Sequence, residues 1–164
     1  MEFYPWIVFG HIAGAFVFAM SHGVAAWASF RLDRERDPVR VRTLLELMSG
    51  SLGGVYIGLL VLLVFGIWAG ISGGHFARAW IWAALVLLIA IAVAMYLLAT
   101  RYYAGLREAV GLRSQQTRKD APDPVPVGQP ELDAMLEKNP SAALAGVGFG
   151  GLGLILLLMV LKPF

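Results

Sequence analysis

The sequence predicts an all-α fold: a polytopic membrane protein with four transmembrane helices in a compact bundle and both termini outside. Three observations predict it. Hydrophobic residues make up 59% of the 164 residues and charged residues 15%, against about 45–50% and about 25% in soluble domains. The apolar residues gather into four runs, each close to the roughly 20 residues a helix needs to cross a hydrocarbon core of about 30 Å. None of these runs alternates polar and apolar side chains as the strands of a membrane barrel do.

The first run spans about residues 5–30 and holds only His11 and His22 as ionisable groups. An acidic segment precedes it and Phe30-Arg31 ends it, so it reads as a mature helix rather than a cleaved signal peptide. Asp37-Pro38 then starts a short helix, with an N-cap carboxylate and a proline where the missing N–H costs nothing. Val41, Leu44, Leu45 and Met48 follow at helical spacing. A loosening is expected at Ser49-Gly50-Ser51, at the start of the second span, which covers about 47–71. The third span covers about 79–100 and the fourth about 141–161, and none of these three contains Asp, Glu, Lys or Arg.

Positive residues set the orientation. Arg31, Arg34, Arg36, Arg40 and Arg42 lie in the first loop, and Arg101, Arg107, Arg113, Arg118, Lys119 and Lys138 after the third span. The remaining loop holds Arg78 and the tail Lys162. Basic loops favour the cytoplasm, which places both termini outside a bacterial inner membrane. Tyr4, Trp6, Trp68, Trp80 and Trp82 would form an outer aromatic belt, with Trp27, Tyr102 and Tyr103 an inner one. The five arginines of the first loop read as a solvated face or as ligands for anionic lipid headgroups. Residues 113–138 form a cytoplasmic loop whose stretch Ala121–Pro130 carries four prolines. That stretch reads as an extended spacer that resists packing, followed by a helical turn at 131–138.

Small residues four apart let helices approach closely. Gly10 and Gly14, Gly54 and Gly58, Gly66 and Gly70, and Gly146 and Gly150 are such pairs. They fit packing within the bundle, or a dimer seam carried by the last span. A formal charge of +2 is too small to suggest nucleic acid, so the expected partners are membrane lipids, further copies, or subunits of a larger membrane complex.

Chemistry is sparse. The chain has no cysteine, which excludes disulfides, thiolate metal sites and cysteine nucleophiles. No nucleotide-binding, H-E-x-x-H or G-x-S-x-G pattern occurs, and charge-free spans argue against a proton-coupled pump. The remaining polar groups for a transport path are His11, Ser21, His22, Ser51 and Tyr56. His11 and His22 share one helix face but stand about 16 Å apart, too far to grip one metal. A soft site joining His11 to His75 or to a thioether (Met1 or Met159) suits copper, and haem b ligated by His11, or less readily by His22, is the neighbouring idea. The bland reading makes each histidine a hydrogen-bonding group between helices.

The segment His11-Ile-Ala-Gly14, then His22-Gly23, then Arg31–Pro38, with Gly66-Ile67-Trp68 closing the second span, resembles a group of small bacterial four-helix membrane proteins of unknown function. That group is similar to the copper-resistance D family. The resemblance covers about residues 5–105 and implies a four-helix bundle with a copper- or redox-linked role. The chain is also similar to the small membrane protoporphyrinogen oxidases, but it lacks the lysine expected within a later span of that family. The functional expectation is therefore a non-enzymatic inner-membrane bundle, self-associating or an accessory subunit. The alternative is a copper- or haem-binding protein using His11 in metal handling or electron transfer.

Overall fold

A computed structural model describes residues 2–163. The described residues form α1 (Tyr4–Leu32), α2 (Pro38–Ser72), a 3₁₀ turn (His75–Ala77), α3 (Ala79–Ala109), α4 (Gln129–Leu136), α5 (Ser141–Ala145), a π-helical turn (Gly146–Gly150) and α6 (Gly151–Leu161). Four helical stretches are long and apolar enough to cross a membrane, the last running from α4 through α6. There is no strand among the described residues. The chain is a four-span, all-α, multi-pass membrane protein.

The helices pair unequally. α1 and α2 pack along most of their length, α3 packs on α6, and the two pairs meet chiefly through α1 and α5. α2 and α3 are consecutive but share little contact. Large apolar side chains such as Phe16, Met20, Leu60, Val86 and Leu97 point outward from the spans, as expected where lipid rather than water surrounds them.

Asp37 caps α2 as its sequence suggests, Oδ1 accepting from the Val39 N–H at 2.8 Å. The loosening expected at Ser49-Gly50-Ser51 does not occur, and α2 continues unbroken for 35 residues. At 1.5 Å per residue it is about 52 Å long, well beyond an apolar core of about 30 Å. The Ser49 hydroxyl donates back to the Leu45 carbonyl at 3.0 Å, and Ser51 to Met48 at 2.7 Å, which keeps both hydroxyls inside the helix. Arg107 of α3 then grips this segment from outside, donating from Nη1 to Ser49 Oγ at 2.6 Å and to the Leu45 carbonyl at 3.3 Å.

The densest burial lies not within the spans but at the end carrying the basic loops. Leu32, Val41, Leu45, Leu106, Leu132 and Leu136 are buried there in one cluster. This basic end projects into water, so burial there is driven by the hydrophobic effect. Between the spans lipid replaces that push, and close small-residue contact holds the helices instead. The loop after α3 takes part, against the expectation of a free spacer. α3 ends at Ala109, and Gly111 (φ 76°) turns the chain so that the Leu112 N–H returns to the Arg107 carbonyl at 2.8 Å. Arg113 gathers the next turn by donating to the carbonyls of Arg118, Lys119 and Ala121 and to Asp123. Residues 122–128 form no helix or strand, but the Val127 N–H bonds the Ala109 carbonyl at 2.9 Å and hands the chain to α4. Leu132 and Leu136, one helical turn apart, then close the cluster.

Candidate functional site

The α1–α2 seam is built from glycine. A Cβ on Gly10 would meet the Phe65 ring at 2.5 Å, and one on Gly14 the Leu62 backbone nitrogen at 2.5 Å. Gly54 faces the Ser21 hydroxyl, Gly58 the Phe18 backbone, and Gly66 the His11 ring at 2.8 Å. Gly70 serves a different contact, the rings and side chains of Phe76 and Ile81 at the terminal end. The last pair behaves otherwise: Gly146 and Gly150 have open space where a Cβ would sit. In that stretch it is Gly148 and Gly151 that pack, against His22 and Ile91.

The three histidines go to three places. His11 lies in the α1–α2 seam, its Nδ1–H donating to the Leu62 carbonyl at 2.8 Å. In the neutral ring this leaves the lone pair on Nε2. His75 hydrogen-bonds the Tyr4 hydroxyl at 3.1 Å and lies 5.6 Å from the Trp80 ring. Tyr4 is seven residues before His11, about 10 Å along the helix, so His75 is not brought to His11. Met1 lies outside the described residues. His22 faces the π-helical turn, stacked on Phe18 at 6.0 Å and edge-on to Phe149 at 5.4 Å. The hydrogen bond expected there is not made: His22 Nε2 is buried without a partner among the described residues. The groups facing it are two phenyl rings and a glycine, and none of their side chains offers an acceptor. No group of three or more His, Asp or Glu side chains converges among the described residues.

The arginines of the first loop divide into two sets. Arg36 pairs with Asp133 at 3.9 Å, Arg40 with Asp37 at 3.9 Å and Glu35 at 4.0 Å, and Arg42 with Glu46 at 3.3 Å. The three arginines are exposed, so these pairs add little stability, yet they occupy the guanidinium groups. Arg31 instead sits over the Trp27 ring, 5.8 Å from its centroid. Neither Arg31 nor Arg34 has a carboxylate within 4.0 Å among the described residues.

One constellation escaped the sequence reading. The Ser29 hydroxyl bonds Tyr103 Oη at 2.6 Å, and Tyr103 donates to Asn139 Oδ1 at 3.1 Å. Asn139 Nδ2 donates to the Ser29 carbonyl at 2.8 Å and to Asp33 Oδ1 at 2.7 Å, and Ser141 to Asp33 Oδ2 at 2.6 Å. This network ties the ends of α1, α3 and α5 together where the spans meet the basic end. A sequence signal was present in Asn139-Pro140-Ser141, which reads only as a helix start. The comparisons identify no relatives: no family model, curated protein or solved structure matches the chain.

Proposed function

We propose that the chain is a non-enzymatic inner-membrane protein that works by association, with further copies of itself or as a subunit of a larger membrane complex, with both termini outside. The carrying observation is the unequal use of glycine. Gly10, Gly14, Gly54, Gly58 and Gly66 are consumed inside the α1–α2 seam, whereas Gly146, Gly150 and Gly153 of the last span are exposed with open space before them. An outward glycine face lets a further helix approach at backbone distance, the usual route to association in lipid. Single-molecule photobleaching in liposomes tests this. Wild type should show more than one copy per particle, or hold a partner subunit through mild extraction. Gly150→Leu should reduce either without loss of helix content. A wild type that is monomeric and partnerless in lipid overturns the reading.

A second reading has one observation in its favour. A metal-ligating histidine commonly donates its other ring N–H to a carbonyl or carboxylate, and His11 does this to Leu62. Under this reading, and the resemblance to the copper-resistance D group, Nε2 of His11 holds copper or haem b. An absorption spectrum with copper and iron analysis of purified protein separates the two. Stoichiometric metal or a Soret band that disappears in His11→Ala favours the second.

A further inference from the structure

We propose that the basic-end half of the α1–α2 surface binds one anionic phospholipid, an acyl chain lying in a groove between the helices and its phosphate resting on Arg31. The groove has a volume of about 400 Å³ and is lined by Met20, Ser21, Val24, Leu47, Gly50 and Ser51. It is shallow and widely open. The Ser51 hydroxyl donates to the Met48 carbonyl at 2.7 Å, and the Ser21 hydroxyl is turned towards Gly54 in the seam. What remains is an apolar trough floored by glycine.

The trough has a charged mouth. Met20, Val24, Trp27 and Arg31 recur at four, three and four residues, which places them on one stripe of α1. Met20 and Val24 line the groove, and Trp27 and Arg31 continue the stripe towards the basic end. Met20 and Arg31 are eleven residues apart, about 16 Å along the axis. Half of an apolar core is about 15 Å, so the stripe runs from headgroup level to the bilayer midplane, the depth of one leaflet. Trp27 is exposed beside the mouth, and tryptophan prefers that interfacial level.

Charge selects the occupant. Arg36, Arg40 and Arg42 each have a carboxylate within 4.0 Å, while Arg31 has only the Trp27 ring beneath it. A bare guanidinium above an apolar trough is matched by an amphiphile with an anionic head. A partner helix would fill the trough but leave Arg31 unanswered. The inference rests only on the helices spanning a bilayer, and holds whether or not the chain associates and whichever way it is oriented.

Native mass spectrometry from detergent, after incubation with phosphatidylglycerol or phosphatidylcholine, tests it. Wild type should retain one phosphatidylglycerol about fivefold more tightly than phosphatidylcholine, the increment of one interfacial arginine. Inorganic phosphate at equal concentration should not compete. Arg31→Gln should reduce phosphatidylglycerol to the phosphatidylcholine level, whereas Arg42→Gln should leave retention unchanged, because Arg42 already holds Glu46. Gly50→Leu should weaken both lipids, since its side chain enters open space in the trough and leaves the fold intact. Equal binding of the two lipids by wild type, displacement by phosphate, or unchanged retention in both Arg31→Gln and Gly50→Leu overturns the proposal. In the last case the trough is left to a protein helix.

Discussion

Ser141 donates its hydroxyl to Asp33 at 2.6 Å, joining the start of the last span to the end of the first. The same carboxylate accepts from Asn139 at 2.7 Å, so one side chain satisfies two polar groups that the chain brings back after more than 100 residues. No cation pairs with it among the described residues. Its role is to seat the α4–α5 junction against α1. Replacing it by alanine leaves Asn139 and Ser141 without that acceptor in a half-buried place. The expected loss is about 1–3 kcal/mol, read as a lower melting temperature of the detergent-solubilised protein by tryptophan fluorescence. Tyr103→Phe removes one hydroxyl that bonds both Ser29 and Asn139; neither partner is charged, so it should cost less, about 1 kcal/mol.

The glycines of the spans predict a sharp contrast between two identical substitutions. Gly14→Ala places a methyl 2.5 Å from the Leu62 backbone nitrogen, and backbone cannot swing aside as a side chain can. The α1–α2 seam must open, at a cost of about 1–3 kcal/mol. Gly153→Ala meets nothing within 4 Å and gains helix propensity, so it should be neutral or slightly stabilising for the isolated chain. Thermal unfolding of both variants in one detergent decides the matter. Equal effects would mean the seam is not held by close approach.

The spans were legible because a bilayer imposes one demand, a long uncharged run, and the chain meets it four times. Asp37-Pro38 was legible because capping is local. What could not be read was whatever depends on residues far apart in sequence. Ser49-Gly50-Ser51 looks weak on its own, yet the two serines bond back into their helix and Arg107 grips Ser49 from α3. The proline-rich segment has a spacer's composition, but Val127, Leu132 and Leu136 carry it onto the cluster around Leu45 and Leu106. Distance along α1 separated His11 from His22, and the sequence offered His75 as a partner for His11 without saying what either would meet. Helix pairing sends His11 to α2, His22 to the π-helical turn and His75 to Tyr4. Spacing along α1 could place two of them on one side but could not say which helix that side would meet.

The cluster at the basic end should act as the clasp on the long loop. Leu132 and Leu136 are each 1% exposed, so Leu132→Ala or Leu136→Ala removes fully buried side chains on the water side, at about 2–5 kcal/mol each. The spans do not depend on this cluster for their own helicity, so the loss should appear locally. Limited proteolysis should cut residues 113–128 much faster in either variant, with helix content by circular dichroism little changed. Unaltered proteolysis would mean that Val127 and the Arg113 contacts hold the loop without α4.

Orientation is open to a direct chemical test, because the chain has no cysteine and any introduced thiol is the only one present. Phe3 is 74% exposed at the terminal end and Val125 is 83% exposed on the loop at the basic end. The basic loops contain all but two of the lysines and arginines, and that asymmetry holds such loops in the cytoplasm. In intact cells a membrane-impermeant maleimide should label Phe3→Cys, and should label Val125→Cys only after permeabilisation. Both positions lie away from the packed seams, so folding should be preserved and the label should report sidedness alone. The reverse pattern would place the basic end outside and remove the inward orientation from the proposed function. It would leave the lipid groove where it is, but move it to the opposite leaflet.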